Sequence, residues 1–372
     1  MMRRLLPFLL VLPLAGSGPA LPPAAPDANL AKIKLPAGFR ISYFAQNVGG
    51  ARSLALGPDG TVYVGTRGDK VYALPDRNKD GRADELVTIA SGLNEPNGVA
   101  VRGGALYVGE ISRILRYDNI ATTLRQKPKP KVVYDQLPTK EHHGWKYISF
   151  GPDGKLYVPV GAPCNVCLPE EPIFATINRM NPDGTGLETV AYGVRNTVGF
   201  DWSPVDKALW FTDNGRDMLG DDKPACELNR AAAAGLHFGF PYIHQGDLPD
   251  PQFGKGKEAS TYTPPAQKLG AHVAPLGMKF YTGQMFPAQY RNQVFIPEHG
   301  SWNRSSKSGY RITLVTVDAS GKKATGYQTF ASGWLEGQRS WGRPVALLVM
   351  PDGALLVSDD QNDCVYRISY GK

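Results

Sequence analysis

Two adjacent histidines, His142 and His143, stand three residues ahead of "YISF", a strand-like segment that runs into a Gly-Pro-Asp-Gly turn. An imidazole titrates near neutrality, at about pH 6.5, which suits it to take a hydroxyl proton there. Alone, such a pair is more often structural. It gains weight because Arg195 and Asn196 precede the strand "VGFDW" at a matching offset, so a base and a fixed cation would face one site. The next stretch, "FTDNGRDMLGDDKPACELN" at residues 211–229, is dense in oxygen donors and glycine. Loops of that makeup hold hard cations such as calcium through carboxylates, carbonyls and water. Further along, Arg304 and Lys307 lie on "EHGSWNRSSKSGYRI", too long for a plain hairpin, and Arg343 stands just before "PVALLV". Each would pass as a solvated charge; together they would surround one pocket with positive charge. A separate loop, "DRNKDGRADE", sets Asp76, Asn78, Asp80 and Asp84 in an EF-hand-like opening, with Val87 where that loop needs its bidentate glutamate. It reads as a structural calcium candidate or as a solvated turn.

Positioning these groups requires a repeated scaffold, and the chain supplies one. An alternating strand, a turn built on Pro-Asp-Gly or its like, and a second apolar strand recur as "SLALGPDGTVYVGT", "GVAVRGGALYVGE", "YISFGPDGKLYVPV", "GFDWSPVDKALWFTD", "LGMKFYTGQMFPAQYRNQVFIPE" and "VALLVMPDGALLVSD". A third strand follows most copies, as in "DKVYAL", "SRILRY", "TINRM", "YRITLVTV" and "CVYRIS". One four-stranded antiparallel blade cannot bury both its faces, but six in a ring bury one another. The expected fold is therefore all-β, a six-bladed propeller, with "FRISYFAQNV" near the start completing the last blade. Two stacked β-sandwiches are the competing arrangement. The copies are irregularly spaced, with extra length after the third, fourth and fifth, so long loops should gather on one face.

Composition agrees. The 42 glycines, 31 prolines and 17 tyrosines suit a turn-rich β protein; the best helical candidate is "ELNRAAAAGL". The opening "MMRRLLPFLLVLPLAGSGPA" has the layout of a signal peptide over residues 1–20, followed by a Pro/Ala-rich linker at 21–34 and one domain over 35–372. A periplasmic or secreted location is expected, and no other stretch is apolar enough to span a bilayer. The formal net charge of +7 comes without any Lys/Arg block, which together with export argues against nucleic acid and leaves a small polyanion as the ligand to expect. Among the four cysteines, Cys164 and Cys167 are placed for a local disulfide; "CNVC" lacks the histidine of a c-type haem site and a second pair for zinc.

Several of these motifs, taken in order, carry a resemblance. "GPDGKLYVPVGAPCN", "YGVRNTVGFDWSP", "TDNGRD" with "ELN", "PEHGSWNRS", "GYRI" and "GRPVALLVMPDG" resemble the soluble glucose/sorbosone dehydrogenase family, six-bladed propellers that use pyrroloquinoline quinone (PQQ). The likeness runs from about Leu35 to the end. It implies His143 as the general base and Arg195, with Asn196, as the pair set against the quinone oxygens. It implies main-chain carbonyls of Gly215 and Arg216 as ligands of a calcium at PQQ, with Glu227 and Asn229 completing that loop. Lys307 and Arg343 would meet the PQQ carboxylates; Arg304, on the same loop as Lys307, is a further cofactor-binding candidate by its position alone. The chain departs from the sugar-oxidising members at Val345, where they keep a second arginine, and at "LNEPNG", where they keep a glutamine. That places it nearer the sorbosone-type branch.

The expectation is thus a PQQ- and calcium-dependent dehydrogenase of a sugar, aldehyde sugar or polyol that passes electrons to a separate acceptor. Two alternatives stay open: a calcium-dependent lactone hydrolase on a similar propeller, and a non-catalytic propeller that binds carbohydrate or protein.

Overall fold

The computed structural model describes residues 27–371. The expected signal peptide and the first part of the linker lie outside the described residues. The chain forms a six-bladed propeller of antiparallel sheets. Blade one comprises Ala51–Leu56, Val62–Thr66, Val71–Leu74 and Val87–Ala90; blade two comprises Gly98–Arg102, Ala105–Gly109, Ile114–Tyr117 and Lys131–Tyr134. Blade three comprises Ser149–Phe150, Leu156–Val160, Thr176–Met180 and Glu188–Tyr192, and blade four Phe200–Trp202, Leu209–Asp213, Ala225–Ala231 and Gln267–Ala271. Blade five comprises Lys279–Phe280, Val294–Glu298, Arg311–Val317 and Ala324–Ala331. Blade six takes Pro344–Val349, Leu355–Asp359 and Cys364–Tyr370 from the end of the chain, and its outer strand, Phe39–Gln46, from the beginning. That last pairing runs antiparallel from Phe39 opposite Tyr370 to Gln46 opposite Cys364, so the ring closes by hydrogen bonds between the two ends of the sequence.

The hairpins form where the sequence places them. In the Pro-Asp-Gly turns the glycines Gly60, Gly154 and Gly353 have φ of 87°, 79° and 89°, a region that other residues enter at a cost. Strand alternation then sends side chains to both faces of each sheet, and both faces are covered by neighbouring blades. The core accordingly divides into layers between blades: Tyr63 and Val71 against Leu106 and Val108, Tyr107 against Ile148 and Val158, Ile177 against Phe200 and Phe211. Trp210 and Leu228 meet Met278 and Val294, Tyr281 and Phe295 meet Leu347 and Leu355, and Leu356 and Val365 meet Leu54 and Val62.

Two local expectations change. "ELNRAAAAGL" is not a helix: its first residues belong to the third strand of blade four, and Leu236–His237 adds a short parallel strand to blade three. Alanine's helix propensity is worth tenths of a kcal/mol per residue, about 0.5 at most, whereas Cys226 and Leu228 alternate into an apolar layer that only a strand can fill. The stretch read as a linker is docked from Asp27 onward. Leu30, Ile33 and Leu35 pack on the layer between blades five and six, and Lys34 exchanges main-chain hydrogen bonds with Ser332 at 2.7 and 3.1 Å. Cys164 and Cys167 form a disulfide, while Cys226 and Cys364 are buried thiols. No helix among the described residues is long and apolar enough to cross a membrane.

Phe39 begins the closing strand and meets Phe286, Tyr290, Phe330 and Tyr370 edge to face, with centroids 4.7 to 5.2 Å away. Phe39→Ala should cost about 3 kcal/mol of stability. A urea titration checks this as a lowered midpoint; a midpoint equal to that of the wild type would show that closure does not rest on this contact.

Candidate active site

At the loop-bearing end of the ring, residues before inner strands and residues after second strands, drawn from every blade but the second, line a cavity of about 500 Å³. His142, His143 and Trp145 enter it ahead of blade three, Arg195 and Asn196 ahead of blade four, His272 ahead of blade five and Arg343 ahead of blade six. From the ends of second strands come Arg67, Asn214 and His299, followed along their loops by Gly215, Asp217 and Trp302. Arg67, Arg195 and Arg343 outnumber the carboxylates of Glu141 and Asp217 in the wall. The lining therefore favours an anionic or electron-rich guest.

His143 is held with one nitrogen spoken for. Its Nδ1 lies 2.9 Å from the carbonyl oxygen of Ala162. A carbonyl only accepts, so Nδ1 carries the hydrogen and Nε2 keeps its lone pair for the cavity. Burial, reinforced by Arg195 and then His142, holds the imidazole well below its ordinary pKa and hence neutral. Its backbone has φ of 52°, the left-handed region that costs a non-glycine residue about 1–2 kcal/mol. Gly161 makes room for it, since a Cβ there would stand 2.6 Å from the His143 Cβ and 2.8 Å from its carbonyl oxygen. The peptide of Ala162 completes the arrangement, its N–H donating to the carbonyl of Arg195 at 2.8 Å.

Arg195 and Asn196 are fixed from beneath by Asp213, whose carboxylate accepts their main-chain N–H groups at 2.8 and 2.6 Å. Burial pushes the Asp213 carboxyl up to about 6, against those hydrogen bonds. The Arg195 guanidinium donates to the carbonyls of Asn165, Asn214 and Gly215 at 2.8 to 3.1 Å and reaches the Asp217 carboxylate at 3.2 Å. It thus sits among the oxygen atoms of the loop that the sequence marks for a hard cation. A carbonyl has two lone pairs, so Gly215 retains one that Arg195 does not use.

Other expected site residues are elsewhere. Arg216 and Glu227 line a second, much smaller cavity of about 10 Å³ behind the first, and Arg216 is ion-paired with buried Asp250. Asn229 is buried and donates to Glu227 at 2.9 Å. Arg304 turns away from the cavity, drawn to the Asp221 carbonyl at 3.1 Å and the Asp222 carboxylate at 3.0 Å. Lys307 does not line the cavity, but its Nζ lies 5.6 Å from the Tyr310 ring that also carries the Arg343 guanidinium at 5.4 Å. In the Asp76 loop the carboxylates of Asp76, Asp80 and Asp84 accept main-chain N–H groups of the loop itself at 2.9 to 3.2 Å, and Asn78 donates to Asp80 at 3.0 Å. Among the described residues no group of three His, Cys, Asp or Glu side chains converges as metal ligands.

Arg67, Asp217, His272, His299 and Trp302 line the cavity without having stood out in the sequence. For Arg67 and His299 the position after the second strand was the available signal, since it recurs in every copy of the repeat.

A family model described as a domain of unknown function, DUF7133, matches residues 25–366. An uncharacterised protein of Borreliella burgdorferi is 34% identical over 355 residues, 91% of each chain. Among solved structures, the PQQ domain of pyranose dehydrogenase from Coprinopsis cinerea, in its holo form, superposes with a TM-score of 0.77 at 19% identity, covering 91% of this chain and 97% of that one. The calcium structure of a Trichoderma reesei carbohydrate-active enzyme of family AA12 gives 0.77 at 18% identity over 91% and 97%. The PQQ-bound aldose sugar dehydrogenase of Streptomyces coelicolor gives 0.64 at 21% identity over 90% and 99%. These likenesses establish the propeller fold.

Followed by NMR, His143 should stay neutral well below pH 6.5, and Gly161→Ala should move its titration towards that ordinary value by displacing it from Ala162. An unchanged titration in Gly161→Ala would mean that the close approach does not hold the ring.

Proposed function

The chain belongs to the DUF7133 family, and we propose that its cavity is the active site of a PQQ- and calcium-dependent dehydrogenase acting on a sugar, aldehyde sugar or polyol. The observation that carries this reading is the neutral His143, its Nε2 free, in a wall where arginines exceed carboxylates. The residues fit the cofactor chemically. PQQ bears three carboxylates and two adjacent carbonyls, and the cavity's volume lies within the range of cofactor sites, roughly 300–1,000 Å³. Arg343 and Arg67 would hold its carboxylates, with Lys307 at the rim, while Arg195 and Asn196 would face its quinone oxygens. Calcium would approach from the carbonyl of Gly215; Glu227, Asn229 and the Arg216 segment would support that loop from behind rather than from the cavity.

When bound, the quinone supplies a two-electron acceptor for hydride. The protein's own contribution is to bind, orient and deprotonate. His143 Nε2 accepts the substrate hydroxyl proton, and its Nδ1–H stays on Ala162, which fixes the ring's orientation while the proton moves. The fixed Arg195 guanidinium favours negative charge developing nearby without needing to reorganise, the arrangement that makes electrostatic stabilisation effective. The polar wall that remains, with Glu141 and Asp217, suits a ligand rich in hydroxyls. The departures at Val345 and in "LNEPNG" favour a sorbosone-type substrate over glucose. The leader-like start and the Cys164–Cys167 disulfide support an exported, oxidising location, where a separate acceptor would take the electrons. The domain is proposed to run over residues 35–372 as one catalytic unit.

Titration of the apoprotein with PQQ and calcium, followed by quinone absorbance and then by addition of aldoses and sorbosone, tests this. Calcium-dependent binding is expected, with reduction by at least one of these compounds. His143→Ala should keep binding but lower kcat by about 10²–10⁴. Arg343→Ala should weaken cofactor binding by about 10–100-fold, the worth of a charged hydrogen bond, while Arg304→Ala should not. No binding at micromolar PQQ would overturn the reading.

A further inference from the structure

One structural position recurs in every blade: the residue that follows the second strand, at the rim of the axis. Going round the ring it is Arg67, Glu110, Gly161, Asn214, His299 and Asp360. Blades five, six and one are neighbours, so His299, Asp360 and Arg67 stand side by side although they are far apart in the chain. Asp360 stands between the other two. His299 Nε2 lies 2.7 Å from Asp360 Oδ1, and Asp360 Oδ2 accepts from Arg52 Nη1 at 3.0 Å and faces Arg67 Nη1 at 3.6 Å. Asp360 and Arg52 have no exposed side-chain surface, whereas His299 reaches the cavity wall.

We propose that His299, oriented by Asp360, is a second proton-accepting group of this cavity, with a carboxylate on its bonded nitrogen where His143 has a main-chain carbonyl. The argument begins with the tautomer. An ionised carboxylate can only accept, so the shared hydrogen sits on Nε2 and the lone pair is on Nδ1. Burial alone would raise the Asp360 pKa, but His299 and Arg52 outweigh it and keep the carboxyl ionised. Burial then keeps the imidazole itself neutral, lowering it to about 4 in spite of Asp360, with Arg343 and Arg52 acting in the same direction as burial. At neutral pH His299 is therefore a free acceptor.

What separates the two histidines is what happens once a proton arrives. On His143 the positive charge would face Arg195 and His142, with only a neutral carbonyl opposite Nδ1. On His299 it would be shared with an ionised carboxylate through Nε2–H, the feature that lets a histidine–carboxylate pair serve as a general base. In the step proposed, a ligand O–H bond breaks, its electron pair stays on oxygen and its proton goes to Nδ1 of His299. Besides burial, the groups that act on this imidazole are Asp360, Arg343 and Arg52, and Arg67 faces Asp360 in turn; Arg343 also donates its Nε–H to the His299 carbonyl at 2.9 Å. The identity of the hydroxyl rests on the dehydrogenase reading, while the imidazole geometry does not.

The test has an arm for each. In the full-length apoprotein, nitrogen NMR of the imidazoles, with His299 assigned by comparison with His299→Gln, should show Nε2 protonated and Nδ1 bare. Addition of sorbosone should perturb Nδ1, and Asp360→Asn should abolish the single tautomer. In the PQQ-loaded protein, His299→Gln and Asp360→Asn should each lower kcat by about tenfold or more with KM little changed. His143→Ala should retain a residual rate that His143→Ala/His299→Gln loses. A hydrogen on Nδ1 in the wild type, an Nδ1 signal indifferent to sorbosone, or full kcat in His299→Gln would overturn the proposal. Should the chain bind no quinone, the dehydrogenase reading fails by itself and the wild-type spectra alone decide the role of His299; they decide it equally if a variant does not fold.

Discussion

The site depends on the apolar layers between neighbouring blades. Each sheet is too small to be stable alone, and what fixes its angle and distance from the axis is the packing of aromatic and branched side chains against the next sheet, as between Tyr157 or Ile177 and Phe200 or Phe211. Six such layers form a closed circuit, and a circuit has no free end to relax. The closing strand, Phe39–Gln46, converts the two ends of the chain into one blade and so prevents the ring from opening between its first and last repeats. Because the layers are rigid, the short segments at the top of each blade are held to the spacing that catalysis demands, which a loop-borne site would not guarantee.

Within that frame the cavity is organised by main-chain acceptors and buried carboxylates rather than by exposed ion pairs. Asp213 holds two consecutive peptide N–H groups and thereby places Arg195 and Asn196. Ala162 receives the hydrogen of His143 through its carbonyl and donates its N–H to the Arg195 carbonyl, so base and cation are tied to the same residue. Each contact would contribute only about 1 kcal/mol to stability, but leaving any of these buried groups unpaired would cost more, and that asymmetry keeps the geometry single-valued. The left-handed backbone at His143 is tolerated because Gly161 leaves the space into which the residue turns.

The same principle explains which sequence expectations changed. Arg304 was read from its place on a long loop and the Asp76 loop from its EF-hand-like spacing, yet a charged side chain goes to whichever partner the fold brings nearest. Arg304 finds Asp221 and Asp222, and the Asp76 loop closes on its own N–H groups. Glu227 and Asn229 alternate on a strand, and both face the small cavity behind the main one or its buried surroundings rather than the axis. The oxygen-rich loop does converge, but it converges on a guanidinium.

The sequence by itself determined the ring and part of its site. Six copies of one hairpin pattern, with an unpaired strand left over at the start, admit few ways to bury both faces of every sheet, and residues just ahead of an inner strand must then lie near the axis. That is why His143, Arg195 and Arg343 were legible. Only the tertiary structure decided which of the remaining polar residues meet. Arg52, Arg67, His299 and Asp360 come from three blades and are separated by as many as 308 positions along the chain. Local periodicity cannot register such pairs; they exist because closure of the ring makes the first blade a neighbour of the last.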